Sequence, residues 1–332
     1  MLAVASGLVK SGAMKNLTGR VKFLGTPAEE SGIFDALSFK KEGKIHMPTG
    51  KAEMILEGVF DDVDMAMQMH CWSHAPNPLT LRIVRNLGMI GITAHYRGKQ
   101  AHSASEAFNG INALYAAITG VNLVHMLRER FNEKDHSRIH CVIAEGGANP
   151  NSITDYARVE CFVKSNNLPA MENLMHQVLK ALKAGADALG AEFDVEVTPG
   201  MFPMQTDDIM SDLYIKNSAM LMPGEYIKLQ EQQLACSDLG DVSQLMPVLY
   251  PQAGGVEGTG HGVDFKVVDF NSAVILPAKA FAATIIDLLN NNAEIARKVI
   301  EAHTPSMTKQ EYLDRMEKYY SIKWREGDEC CE

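Results

Sequence analysis

Two adjacent carboxylates follow a short apolar run near the start of the sequence. Glu29 and Glu30 end the segment Gly25-Thr-Pro-Ala-Glu-Glu, directly after residues 21–24, which predict a strand. Neighbouring side chains on a loop point in different directions, so one carboxylate can bind a cation while the other accepts a proton. The alternative is that the pair is ordinary solvated surface, as most acidic side chains are.

Two histidines stand where imidazole is well placed to bind a metal. His70 ends the apolar stretch Met65-Ala-Met-Gln-Met-His, with His74 four residues later, and His261 lies in Gly258-Thr-Gly-His-Gly. A neutral imidazole at a strand end is a good metal ligand, and glycine allows the backbone to approach a ligand closely. Considered alone, His70 is more often a histidine hydrogen-bonded to a backbone carbonyl, and His261 is more often structural or exposed.

The middle of the chain offers a histidine and an asparagine in predicted loops. His102 follows Arg97-Gly-Lys-Gln-Ala, where a strand gives way to a helix, and a ring N–H there can donate to a developing oxyanion. Asn151 ends the turn-rich segment Gly146-Gly-Ala-Asn-Pro-Asn between two predicted strands. The alternatives are a polar helix start at His102 and an ordinary hairpin connection at Asn151.

The order of predicted elements indicates an α/β protein with an inserted α+β domain. Residues 1–16 predict a helix, whereas residues 21–24, 55–59 and 66–70 predict strands. From about residue 88 the order becomes β-α-β-β-α-β, a ferredoxin-like unit built from residues 90–97, 110–129, 139–144, 156–164, 171–189 and 192–197. We therefore predict a catalytic domain in two segments, 1–87 and 201–305, with a lid and dimerisation domain at 88–200 inserted between them. A C-terminal tail follows at 306–332.

Composition narrows the class of protein. The chain has 332 residues, of which 46% are hydrophobic, which is enough for a sizeable core. Its 31 Lys and Arg against 41 Asp and Glu give a net charge of −10, which argues against nucleic acid as a partner. We see no run of about 18 apolar residues and no secretory leader, so we expect neither a membrane partner nor export. The six scattered cysteines then favour a cytoplasmic location without disulfides, and Cys71 beside His70 is assigned to the core.

Together with Ser237-Asp-Leu-Gly-Asp-Val-Ser, these motifs occur in an order that resembles the M20 family of metal-dependent peptidases. The resemblance spans nearly the whole chain and looks closest to dipeptidases of the aminoacylase-1-like and amidohydrolase branch. It implies a zinc-exopeptidase-like α/β catalytic domain carrying an inserted ferredoxin-like lid. The implied activity is metal-dependent hydrolysis of an amide bond in dipeptides or N-acyl amino acids.

The resemblance also implies roles for the residues in the lid and in the carboxylate loop. Glu29 resembles the general base that takes a proton from water. His102 and Asn151 resemble lid residues that polarise the scissile carbonyl and hold the substrate, in some members across a dimer. The implied partners are a small dipeptide or N-acyl amino acid substrate and a second copy of the chain bound through the lid.

The metal ligands implied by the resemblance are Glu30, His70 and His261, and the implied cofactor is Zn²⁺, with Mn²⁺ or Co²⁺ as alternatives. The sequence departs from the family in lacking a His-containing ligand motif before its first helix, and Gln244 stands where many relatives have His. We therefore expect an N-terminally truncated catalytic domain that is a poor catalyst. The alternative is a non-catalytic paralogue that binds small molecules or pairs with a full-length relative.

Overall fold

The computed structural model describes residues 1–29, 32–73, 75, 79–222 and 229–324. Its α-helices are α1 Leu2–Lys10, α2 Ile33–Lys41, α3 Gly50–Leu56, α4 Ala113–Met126, α5 Leu168–Leu189, α6 Asp208–Leu221, α7 Leu239–Ser243, α8 Leu276–Ala302 and α9 Lys309–Ser321. Its strands are β1 Ala66–Met67, β2 His70–Cys71, β3 Leu79–Asn86, β4 Gly88–Arg97, β5 Arg138–Glu145, β6 Tyr156–Ser165, β7 Glu192–Met201, β8 Met204–Gln205, β9 Leu229–Gln232, β10 Val248–Leu249, β11 Pro251–Ala253, β12 Val256–Glu257, β13 Lys266–Val267 and β14 Lys323–Trp324.

The middle of the chain forms the predicted ferredoxin-like unit. Its sheet has the order β14-β7-β4-β6-β5, and β4, β5, β6 and β7 pair antiparallel with their neighbours. Every second residue of β6 is buried, from Ala157 to Ser165, as a strand with one face on a core requires. The predicted β-α-β-β-α-β order is confirmed.

Helices α4 and α5 cover the buried face of this sheet and pack closely on each other. A Cβ atom added to Gly185 would lie 2.4 Å from the backbone nitrogen of Gly120, so glycine at these positions allows the two helices to approach. The Asn167 side chain caps α5 by accepting from the N–H of Ala170 at 2.8 Å, and Gly190 ends the helix at φ 70°. The predicted end of this helix at 189 is confirmed, whereas the helix begins at Leu168, earlier than the predicted start at 171, directly after the Asn167 cap.

The remaining sheets belong to the part of the chain that carries the candidate site. β2 pairs parallel with β11, β11 pairs antiparallel with β3, and β3 also pairs with β8 and β9, while β1 pairs parallel with β10. Helices α1, α6 and α8 pack beside these short strands. The β3 and β9 strands are also parallel. The parallel pairs β1–β10 and β2–β11 matter for the candidate site, because parallel strands deliver the residues that follow them to the same edge of a sheet.

Helix α8, with the π-helical turn that precedes it, is long and apolar enough to cross a membrane by length and composition. One such helix is weak support for a membrane span, because core helices pass the same test. Here the backbone leaves helical geometry from Asn290 to Ala293, and the helix buries Ala280, Thr284 and Leu288 against its neighbours. We had expected no stretch of this kind.

Two predicted strands are wrong. Residues 21–24 form no strand and pair with none of the strands in the described part of the chain. Residues 55–59 instead contain the end of α3 and the turn after it. The Thr49 hydroxyl caps α3 by accepting from the N–H of Ala52, and the good helix formers Lys, Ala, Glu and Met follow. A short apolar run has no period that separates a strand from a buried helical turn.

Two further expectations are corrected. Cys141 and Cys161 stand directly opposite each other on β5 and β6, with Cα atoms 4.1 Å apart, and are joined by a disulfide that we did not expect. The predicted tail contains α9, which begins with a capping box at Thr308 and Glu311, and β14, which pairs with β7. Residues 325–332 of this tail lie outside the described residues.

Candidate active site

Glu29 lies in a tight turn that holds its carboxylate against a distant segment. The preceding residue, Ala28, has φ 51°, a left-handed conformation that residues with a side chain rarely adopt. The Ser237 hydroxyl donates to Oε1 of Glu29 at 3.3 Å. A non-glycine residue in this region is held there by its surroundings and is often found at functional sites. Glu30, the predicted metal ligand beside it, lies outside the described residues.

His70 and His261 belong to neighbouring chain segments. His70 is in β2, opposite Gln252 of β11, and the chain runs from the end of β11 through β12 into the loop that carries His261. Both histidines are exposed, and His261 has φ 63°. Within the described part of the chain the His70 ring makes no hydrogen bond, and its closest aromatic neighbour is Trp72, with ring centroids 6.4 Å apart. The metal site formed by Glu30, His70 and His261 therefore stays a prediction, since no contact described in the structure joins them.

One other cluster in the described residues has the spacing of a metal site. The ligand atoms of His46, Glu53 and Glu57 all lie within 4.8 Å of one another. Oε2 of Glu53 accepts from the backbone N–H groups of His46 at 3.0 Å and Met47 at 2.7 Å, and Oε1 lies 2.9 Å from Nδ1 of His46. These hydrogen bonds lower the pKa of Glu53 although burial alone would raise it. The cluster thus stabilises the turn before α3, and none of its members was predicted to bind metal.

The structure brings His102 and Asn151 together. His102 pairs with Ser152 in an isolated antiparallel bridge, and the N–H of Ser103 donates to the carbonyl of Asn151 at 3.0 Å. Both residues are exposed at the end of the lid where β4 leads toward α4. The two predicted lid residues therefore lie in loops that are far apart in sequence but adjacent in the fold, and we call these paired loops around His102 and Asn151 the lid platform.

The orientation of the His102 ring decides which nitrogen can act. Nδ1 accepts hydrogen bonds from the backbone N–H groups of Ala104 and Ser105, each at 3.2 Å. A ring nitrogen that accepts cannot carry a proton, so a neutral His102 is protonated on Nε2. Because the residue is exposed, the Nε2–H group is a donor available to a ligand.

Residues that sequence reasoning missed surround the Glu29 turn. Lys51 donates from both its backbone N–H and its Nζ to Asp238, and both side chains are buried. The Gln68 side chain donates to the Ser237 hydroxyl at 3.4 Å. The motif Ser237–Ser243 was noticed only through the family resemblance. A lysine after Thr49-Gly, at the start of a helix, carries no signal that it is buried.

Asp241 adds a second buried carboxyl to this region. It is fully buried, and burial raises its pKa well above the ordinary range, with the neighbouring charge of Asp238 acting in the same direction. The N–H of Phe202 donates to its Oδ1 at 3.1 Å, which opposes that rise. Asp241 therefore favours its neutral form more than a solvated aspartate does.

The chain is similar in sequence to known M20 proteins. The peptidase dimerisation domain of M20 enzymes matches residues 84–189. Xaa-Arg dipeptidase of Mus musculus is 25% identical over 304 residues, which is 87% of this chain and 64% of that relative. The chain thus spans less than two thirds of the length of this dipeptidase. A p-aminobenzoyl-glutamate hydrolase component of Escherichia coli (strain K12) is 30% identical over 169 residues, 51% of this chain and 31% of that relative.

A solved structure shows the same fold. A dinuclear metal-binding peptidase of the M20 family from Bacillus subtilis matches with a TM-score of 0.65 at 18% identity, over 87% of this chain and 70% of that chain. The predicted α/β class with an inserted dimerisation domain is confirmed.

Proposed function

We propose that this chain, which is related to the M20 peptidases and carries their dimerisation domain, is a metal-dependent amidohydrolase that cleaves dipeptides or N-acyl amino acids. The observation that carries the proposal is the lid platform, where the loop of His102, which offers an Nε2–H donor, pairs with the loop that carries Asn151. A fixed donor of this kind stabilises the oxyanion that forms when water attacks an amide carbonyl.

The donor chemistry of the predicted ligands fits a divalent metal. His70 is exposed, and its ring nitrogens make no hydrogen bond within the described part of the chain, so its imidazole is available for coordination. Together with His261 and the Glu30 carboxylate it would supply a ligand set typical of zinc, with Mn²⁺ or Co²⁺ as alternatives. When bound, such an ion acts as a Lewis acid toward the scissile carbonyl and lowers the pKa of water.

The chain's own residues supply the remaining steps. Glu29 accepts a proton from the attacking water and then delivers it to the leaving amine, as a single general base and acid can. The Ser237 hydrogen bond orients the carboxylate for this transfer. Nε2–H of His102 donates to the oxyanion, and the exposed Asn151 side chain holds the substrate.

A homodimer formed through the lid completes the proposal. Strand β5 ends the lid sheet in the described part of the chain, and its Val142 is 55% exposed. Tyr115, Ile118 and Met126 share one face of α4 and are also exposed. An unpaired strand edge beside an apolar helix face is a surface that a second copy can cover.

We also propose that the protein acts in the cytoplasm. The free thiols of Cys71 and Cys236 support this location, whereas the disulfide between Cys141 and Cys161 is unusual in a reducing compartment.

The experiment is hydrolysis by the purified chain after removal of metal with a chelator and addition of Zn²⁺, Mn²⁺ or Co²⁺. Dipeptides ending in arginine and p-aminobenzoyl-glutamate are the first substrates, since the named relatives act on them. We expect hydrolysis that disappears on chelation and returns with one of the metals. Activity that is insensitive to chelation would contradict the proposed metal dependence, and no hydrolysis with any metal would favour the non-catalytic alternative.

A further inference from the structure

The Ser237 hydroxyl lies where three chain segments meet. Its Oγ is 3.3 Å from Oε1 of Glu29, 3.4 Å from Nε2 of Gln68 and 3.4 Å from the backbone nitrogen of Leu239. A hydroxyl has one proton to donate and two lone pairs with which to accept. Because the two nitrogen groups donate and a carboxylate only accepts, the hydroxyl proton goes to Glu29.

Ser237 is itself fixed by a buried ion pair. The next residue, Asp238, accepts from the backbone N–H of Lys51 at 3.1 Å and from its Nζ. The side chain of Asp238 is fully buried and that of Lys51 is 8% exposed. Because a buried charge is costly without its partner, this pair holds the segment containing Ser237 against the first turn of α3.

The same turn of α3 also holds the loop that leads to Glu29. A Cβ atom added to Gly50 would lie 1.8 Å from the Pro27 carbonyl oxygen, so the loop backbone rests directly on this glycine. Consecutive residues of α3 therefore contact both sides of the site: Gly50 contacts the loop, and Lys51 anchors the segment that bonds to Glu29. Ala28, which lies between Pro27 and Glu29 in this loop, keeps its left-handed φ of 51°.

We infer that Ser237, anchored by the Lys51–Asp238 pair, is a positioning residue that holds the Glu29 carboxylate in its working orientation. The inference deepens the proposed hydrolase function and rests on it for the role of Glu29. The hydrogen bond to Gln68 also ties Ser237 to the segment that leads into β2 and His70. One hydroxyl thus connects the predicted base with the strand of a predicted metal ligand.

The test compares Ser237→Ala with Ser243→Ala in the full chain. Ser243 is a matched control, because it is also buried in this motif but donates to the Gly240 carbonyl at 2.7 Å instead. Hydrogen–deuterium exchange of the amides at 25–29 is measured for both variants, with metal content and, on the reconstituted protein, kcat and KM.

We expect Ser237→Ala to increase exchange at 25–29 and to lower kcat, each by about 2- to 10-fold, the effect of one ordinary hydrogen bond. KM and metal content should change little, and Ser243→Ala should resemble wild type. Unchanged exchange in Ser237→Ala, or an equal increase in Ser243→Ala, would overturn the inference. If the wild-type chain shows no metal-dependent hydrolysis, the proposed function fails, and the exchange measurement still decides whether Ser237 positions the turn.

Discussion

His102 and Ser152 pair in an isolated antiparallel bridge that joins the loop after β4 to the loop between β5 and β6. The bridge holds the backbone of His102 and Ser103 against that of Asn151 and Ser152. Nδ1 of the His102 ring already accepts from two backbone N–H groups. Nδ1 of His102 therefore stabilises the local turn, and Nε2–H of the same ring remains a donor. The two roles can be separated by substitution.

His102→Asn should keep the turn and lose the donor, because the asparagine oxygen can replace Nδ1 as acceptor while nothing replaces Nε2–H. We expect kcat of the metal-loaded protein to fall by about 10²–10³-fold, as for loss of an oxyanion donor, with the melting temperature almost unchanged. His125→Asn, at the end of α4, is the control for an exposed lid histidine. Wild-type turnover in His102→Asn would remove His102 from the mechanism.

Lys51→Met should strongly destabilise the fold, because it leaves Asp238 charged and buried. Removing one partner of such a pair costs about 3–5 kcal/mol of unfolding free energy, measurable by denaturant titration. Lys309→Met, which breaks an exposed pair with Asp61, should cost about 0–1 kcal/mol. The double variant Lys51→Met/Asp238→Asn should be more stable than Lys51→Met alone, and equal stability would show that the charge of Asp238 is not the cause.

Asp241→Asn should change how stability depends on pH. Burial raises the pKa of Asp241 in the folded state, so above the ordinary carboxyl pKa of about 4 the folded protein binds more protons than the unfolded chain. Stability from this group is therefore present at acid pH and lost as pH rises through the raised pKa. We subtract the melting temperature of wild type from that of Asp241→Asn at each pH. This difference should be larger at pH 8 than at pH 5, because pH 5 lies nearer the ordinary carboxyl pKa.

The exposed Asp314 provides the control for that experiment, because Asp314→Asn removes a carboxyl from the surface of α9. Its melting temperature should follow that of wild type at both pH values. A constant difference between Asp241→Asn and wild type across the same range would contradict a raised pKa at Asp241.

Val142→Asp should dissociate the proposed dimer, since it places a charge on the exposed edge strand of the lid. Light scattering after gel filtration should show a dimer for wild type and a monomer for the variant. Val9→Asp, on an exposed position of α1 outside the lid, should remain dimeric. A wild-type monomer, or a dimeric Val142→Asp variant, would reject this interface.

The lid could be predicted from sequence because its signals are local. The alternating residues of β6 and the caps at Asn167 and Gly190 each identify an element within one short window. The two loops of the lid platform were predicted only as separate motifs, and the His102–Ser152 bridge shows how the fold joins them.

The contacts that could not be predicted are long-range. Lys51 and Asp238 are 187 residues apart, and Ser237 and Glu29 are 208 apart, so no window of sequence contains either pair. The disulfide between Cys141 and Cys161 likewise depends on the register of β5 against β6. Residues 21–24 were predicted as a strand because their composition is apolar, but composition does not supply a neighbouring strand.

The most direct test of the proposed hydrolase is Glu29→Gln, with turnover and bound metal measured on the same samples. If Glu29 is the general base, kcat should fall by about 10²–10⁴-fold while metal content stays at the wild-type value. Glu301→Gln, which changes an exposed glutamate at the end of α8 outside the proposed site, should match wild type in turnover and bound metal. Full turnover in Glu29→Gln would contradict the account, and a loss of metal in parallel with activity would show that Glu29 is a ligand and not the base.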